Sequence, residues 1–143
     1  MKKFSFKLEK VLRLKKFREE ECKAALGQAI SVLNLIENKI KETAVKRHNA
    51  VSERFNEPLE MASWDNYILR LDRKAEELAE QAAQAELVVD EKRALYQEAY
   101  KEQKSISILK EKRKEEYRKE VLNYEINEID DLTSARLISS VGG

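Results

Sequence analysis

The chain has 143 residues, of which 42% are hydrophobic and 38% charged, with a net charge of +1, three glycines and one proline. That is one domain's worth of chain, and so charged and breaker-poor a composition describes long helices with much surface instead of a thick core. A lone Cys22 excludes an intramolecular disulfide and fits a reducing compartment, no apolar run approaches the roughly 20 residues of a membrane span, and Met1-Lys2-Lys3-Phe4 leads into no uninterrupted apolar stretch of the kind a signal peptide carries.

A first helix is expected over about residues 4–55. Leu8 and Leu12 open an apolar stripe; Cys22, Ala29, Ile36, Thr43 and Ala50 continue it at one heptad position, and Leu26, Leu33, Ile40, Arg47 and Arg54 at the other. A turn follows at about 56–62, where Asn56 and the only proline, Pro58, interrupt the pattern and the residue before the proline is pushed out of helical geometry. Ser63 is a candidate N-cap with Asp65 in the first turn, although the next helix could begin nearer Leu59. The second helix is expected over about 63–130. Trp64, Leu71, Leu78, Ala85, Lys92, Ala99, Ile106 and Arg113 form one heptad series, and Ile68, Ala75, Ala82, Val89, Tyr96, Gln103, Lys110, Tyr117 and Tyr124 the other. Residues of about 131–143, ending Ser139-Ser140-Val141-Gly142-Gly143, read as a flexible tail.

Alternating steps of three and four are the signature of a left-handed supercoil. With a short turn between them, the two helices become antiparallel neighbours, so the fold class is all-α: a long antiparallel two-helix coiled-coil hairpin in a single domain. The alternative is one kinked helix that dimerises. Folding at Pro58 pairs residues whose numbers sum to about 118.

Charge is sorted along the chain. Residues 1–18 carry eight Lys/Arg and one Glu, residues 57–100 five Lys/Arg and eleven Asp/Glu, and residues 101–124 eight Lys/Arg and five Glu. In the hairpin the first and last of these groups meet at the free end, which then carries a net +10. Such an end suits an acidic surface, against the plainer reading of a solvated coiled-coil exterior. Nucleic acid is the weaker partner, because the basic residues are interspersed with Glu102, Glu111, Glu115, Glu116 and Glu120 and no nucleic-acid motif accompanies them.

The sequence offers no catalytic set, no metal-ligand set and no cofactor motif, and an enzyme is rejected. His48 is the only histidine, Cys22 sits at a packing position, and Gly27 stands alone inside a helix, where its expected role is close packing or a slight bend. Arg47, Arg54, Lys92, Gln103, Lys110 and Arg113 interrupt the seam, either fixing register or laying their stems on it with the charge in water. Tyr100 falls off the seam and is a candidate exposed contact.

The stretch Phe4-Ser5-Phe6-Lys7-Leu8, then Val11-Leu12, then a charged run and Leu26 with Ala29, resembles the opening of FliJ proteins, the soluble stalk and chaperone-escort components of the bacterial flagellar type III export apparatus. Trp64-Asp65-Asn66-Tyr67-Ile68-Leu69-Arg70-Leu71 is similar to that family's aromatic segment past the turn, and Asp130-Asp131 to an acidic pair near its end. The resemblance implies a coiled coil like that of rotary ATPase gamma subunits. It implies three kinds of partner: the hexameric export ATPase FliI, the cytosolic domain of the export gate FlhA, and export chaperones. It also implies a cytoplasmic protein, peripheral to the inner face of the cell membrane. Carried over residue by residue, gate contact falls to Tyr67, Leu71, Lys74 and Leu78, with Lys74 standing where a small apolar residue is expected. Thr43, Lys46 and Ala50 depart from the aromatic or larger side chains expected there and are not carried over. Charge, not motif, assigns ring contact to Lys7, Arg13, Lys16, Lys112 and Lys114. Rival readings are the stalk of a non-flagellar type III secretion system and a generic coiled-coil holdase or scaffold; a V-type rotary stalk is a more distant one, since such chains are usually longer.

Overall fold

The structure, a computed structural model, describes residues 2–142. Helix α1 runs Glu9–Asn56 and helix α2 runs Met61–Gly142, with a single 3-10 turn at Pro58–Glu60 between them. The fold is all-α, as the heptads require, and the two helices lie antiparallel. They divide into two compact units: one holds residues 18–99 and the bend, the other residues 2–17 with 100–142.

The bend follows from Pro58. Its ring pushes Glu57 to φ −126° and ψ 72°, outside helical geometry, and its missing N–H suits the first position of the short turn. The Glu57 amide still donates to the Glu53 carbonyl at 3.0 Å, closing α1, and the Glu60 amide donates to the Glu57 carbonyl at 3.0 Å. The Trp64 indole N–H donates to Glu57 Oε2 at 3.0 Å, tying the bend to the first turn of α2. Leu59 at the apex is wholly exposed.

Within the unit of residues 18–99 the core is one layer of seam residues, with Ala29, Thr43, Ala50, Leu71, Leu78, Ala85, Val89 and Ala99 buried. All eight sit at heptad positions of the two stripes. Cross-helix ion pairs fix the register: Arg54 Nε to Asp65 Oδ1 and Arg47 Nε to Asp72 Oδ1, both at 2.6 Å. In the other unit Lys15 Nζ meets Glu102 Oε2 at 2.9 Å and Lys110 Nζ meets Glu9 Oε2 at 2.8 Å. Each pair's numbers add to 117 or 119, close to the expected 118. Three of the polar seam residues, Arg47, Arg54 and Lys110, are thus matched to acids on the facing helix. Buried Thr43 donates its hydroxyl to the Lys39 carbonyl at 2.8 Å, and Gln103 Oε1 accepts from Ser107 at 3.0 Å. No buried polar side-chain atom among the described residues lacks a partner.

Four expectations need correction. The first helix begins at Glu9, not near residue 4: residues 2–6 have no regular secondary structure, and the Glu9 amide donates to the Phe6 carbonyl at 3.1 Å as the chain turns into α1. The second helix starts at Met61, because the 3-10 turn feeds it directly, so Ser63 lies inside it and caps nothing. It then continues to Gly142, past the end expected near 130, since residues 131–141 contain neither glycine nor proline. Arg113 and Tyr124 are exposed and not on the seam.

Gly27 has open space where a Cβ would stand, with nothing within 4 Å, so close packing does not explain it. Gly27→Ala should therefore stabilise the protein by about 1 kcal/mol, the helix-propensity difference between the two residues. A raised urea midpoint with an unchanged slope is the expected reading, and a lowered midpoint would show a constraint that the open space does not reveal.

Candidate partner-binding surfaces

Two surfaces stand out, one in each unit. In the unit of residues 2–17 and 100–142, the segment before α1 lies against α2. The Tyr117 hydroxyl donates to the Lys2 carbonyl, and the Phe4 ring packs on the Tyr117 ring with centroids 5.6 Å apart at 50°. Behind this strap is an open cleft of about 420 Å³, lined by Phe4, Phe6, Lys7, Leu109, Arg113 and Tyr117, among others. The Phe-x-Phe opening is therefore an anchor: Phe4 takes Tyr117, and both phenylalanines wall the cleft.

Basic side chains crowd this unit. Residues 2–17 hold seven Lys/Arg against one acid, Glu9, and residues 101–124 hold eight against five. The ion pairs at Glu9 and Glu102 bring these two stretches side by side. Lys7, Arg13, Lys16 and Lys112 are exposed, and among the described residues none of them forms an ion pair. Lys114 is half-buried and reaches Glu111 one turn away at 3.9 Å, a contact of little energetic weight. The five residues assigned to a ring partner thus belong to one basic unit.

Glu9 registers the local field. Its carboxyl is held below the usual carboxylate range, first by the hydrogen bond from Lys110, against the opposing effect of burial, and further by the charges of Lys110, Arg13 and Lys16. An acid whose pKa is lowered on folding contributes stability above its unfolded pKa and loses it as pH falls through the folded value. Wild-type protein should therefore lose more melting temperature between pH 7 and pH 3 than Glu9→Gln, which keeps an oxygen acceptor for Lys110 but cannot titrate. Parallel losses in the two proteins would show that the pair does not contribute to acid stability. At the bend the sign is opposite: Glu60 is pushed up by its hydrogen bond with Glu57 and by that neighbour's charge, so protonation favours the turn.

In the unit of residues 18–99, the four residues expected at a gate partner separate. Leu71 and Leu78 are only 6% and 5% exposed, buried in the core of this unit. Tyr67 is half-buried and Lys74 is exposed. Tyr67 stands edge-on to Trp64, with centroids 6.0 Å apart at 73°, and carries the Arg70 guanidinium 5.7 Å from its ring centroid. Together Tyr67 and Trp64 form one wall of an open groove of about 470 Å³ whose other wall is Lys46, Asn49, Ala50 and Glu53 of α1. Lys74 lines a neighbouring groove of about 300 Å³ with Lys39, Lys46, Glu42 and Glu77. Sequence reasoning set Lys46 and Ala50 aside and did not place Trp64 at this surface. The register that pairs Arg47 with Asp72 was the signal that would have put them opposite Tyr67.

Other candidates behave plainly. His48 is exposed, Cys22 is a free half-buried thiol, and Tyr100 is 42% exposed. Among the described residues there is no group of three or more His, Cys, Asp or Glu placed to hold a metal ion, and no helix is long and apolar enough to cross a membrane.

A pair of long antiparallel helices joined by one tight turn, with a basic strap-bearing unit and an aromatic groove near the bend, defines an α-helical coiled-coil protein. The profile described as Flagellar FliJ protein matches residues 4–142, nearly the whole chain. The chain belongs to the FliJ family and is a component of the flagellar type III export apparatus. No curated protein and no solved structure matches it.

Proposed function

We propose that this chain is the non-enzymatic central stalk of the export apparatus: its basic unit binds the export ATPase hexamer and stimulates hydrolysis, the surface around Trp64, Tyr67 and Lys74 meets the cytosolic domain of the export gate, and the protein escorts export chaperones at the inner face of the cell membrane. The observation that carries the reading is the gathering of Lys7, Arg13, Lys16 and Lys112 as exposed cations without ion-pair partners on one unit. Exposed like charges cost little in water and add long-range attraction to an acidic partner, which raises the rate of encounter. Family membership supports the setting, and the flagellar description of the matching profile favours a flagellar over a non-flagellar export system. The reading needs no cofactor.

The test is ATP hydrolysis by the cognate flagellar export ATPase with and without the full chain, with native mass spectrometry of the mixture. Stimulation at one copy per hexamer is the expected result. An ATPase that neither speeds up nor binds the chain would overturn the stalk reading and leave a scaffold or holdase, which should suppress aggregation of unrelated clients without any ATPase.

A further inference from the structure

Lys10, Arg13, Leu14 and Phe17 face away from the packed side of α1. At about 100° per residue their directions span about 100° of the helix circumference, centred about 150° from buried Leu12. Leu14 is 66% exposed and Phe17 57%. Lys10 precedes Leu14 by four residues and Arg13 precedes Phe17 by four, so each apolar side chain has a cation one turn before it on the same face. Val11 and Lys16, both exposed, mark the two edges. From Lys10 to Phe17 the chain holds no acid and no uncharged polar residue. Lys10, Arg13 and Lys16 form no ion pair among the described residues, and the acid just before them, Glu9, is held by Lys110 at 2.8 Å. The next acids, from Glu19 on, lie beyond this unit.

We propose that this face of α1 rests on an anionic phospholipid surface, with Leu14 and Phe17 at the boundary of headgroups and acyl chains and Lys10, Arg13 and Lys16 among the lipid phosphates. Charge calls for an anionic occupant, because the face carries cations alone. Composition selects lipid over an acidic protein. Protein contacts are built on tyrosine, tryptophan and paired hydrogen bonds, and lysine is depleted from them. A short run of lysine and arginine among leucine and phenylalanine is instead the make-up of a helix that lies in a membrane interface. Long cationic side chains carry their charge to the phosphates while their stems widen the apolar area. A second copy of this face would set cation against cation. The face covers about two turns of helix, so the contact is reversible and depends on both charge and insertion. Lys10, Leu14 and Phe17 have no part in the assignment to the ATPase ring, and the inference does not rest on that assignment.

The experiment sediments the full chain with vesicles of phosphatidylcholine alone or of phosphatidylcholine mixed with phosphatidylglycerol. Partitioning should be at least tenfold stronger onto the anionic vesicles and should fall as salt rises. Leu14→Ser with Phe17→Ser should weaken it at least fivefold, and so should Lys10→Gln with Arg13→Gln, helicity being unchanged in both. Leu35→Ser, an exposed leucine of α1 in the other unit, should bind as wild type does. Phe17→Trp, made together with Trp64→Phe, should shift its emission to the blue on anionic vesicles only, which reads insertion directly. Equal partitioning onto the two kinds of vesicle, undiminished binding by the serine variant, or an unshifted tryptophan overturns the proposal. So does an acidic leucine-striped peptide that binds through Leu14 and Phe17 while anionic vesicles do not. No ATPase is present, so failure here leaves the stalk reading standing, and loss of ATPase stimulation leaves this one.

Discussion

Changing Lys7, Arg13 and Lys16 together to glutamate will lower stimulation of the export ATPase at least tenfold and leave the circular dichroism spectrum unchanged. The three side chains lie in water and form no ion pair among the described residues, so each exchange should alter folding stability by no more than about 0.5 kcal/mol. Their effect on a partner is larger because it is collective: three reversals change the charge of the basic unit by six, and encounter between charged surfaces depends on that total field. Wild-type stimulation should fall as salt rises, since exposed charges are screened over about 8–10 Å at ordinary ionic strength. Lys23→Glu with Lys41→Glu, exposed in the other unit, is the control and should leave stimulation intact. Full stimulation by the triple variant would remove the ring contact from these residues.

Leu12→Ala should be the most damaging single truncation in the basic unit, costing about 2–3 kcal/mol. Leu12 is 2% exposed and is the largest fully buried side chain among the described residues. Two helices make one layer of packing, so a cavity there opens partly to water, which places the cost in the lower half of the range for buried leucines. Leu14, two residues on and 66% exposed, is the natural comparison: Leu14→Ala should stay within about 0.5 kcal/mol. Urea unfolding followed by circular dichroism distinguishes them. Equal midpoints for the two variants would mean that α1 is not held by this seam near its start.

Most of the fold could be read from the residues. Burial repeats with the helix period, so Leu71, Leu78, Ala85 and Ala99 on one series and Val89 on the other declared themselves through spacing, and Pro58 could stand only at the bend. The register followed from the turn, within one residue. What spacing could not convey was which acid answers each seam cation. Arg47 with Asp72 and Glu9 with Lys110 are matched only once the helices are laid side by side, 25 and 101 positions apart in the chain. The ends were harder for a related reason: Phe4, outside the helix, packs on Tyr117, a residue far away in sequence. The candidate surfaces were only half legible. Charge identified the basic unit, but the Leu71 and Leu78 assignment came from a pattern shared by core and contact residues, and a pattern of that kind does not say which side of the helix is already occupied.

The single tight turn also dictates an order of events in folding. Arg54 and Asp65 are 11 residues apart along the chain, Lys15 and Glu102 are 87, and Lys2 and Tyr117 are 115. Closing the longest of these loops directly costs about 2 kcal/mol more chain entropy than closing the shortest. Contacts beside Pro58 therefore form first, and each new pair shortens the loop left for the next. The two helices of the hairpin are expected to close like a zipper from the bend, with the Phe4–Tyr117 clasp the last tooth to engage and the first to part.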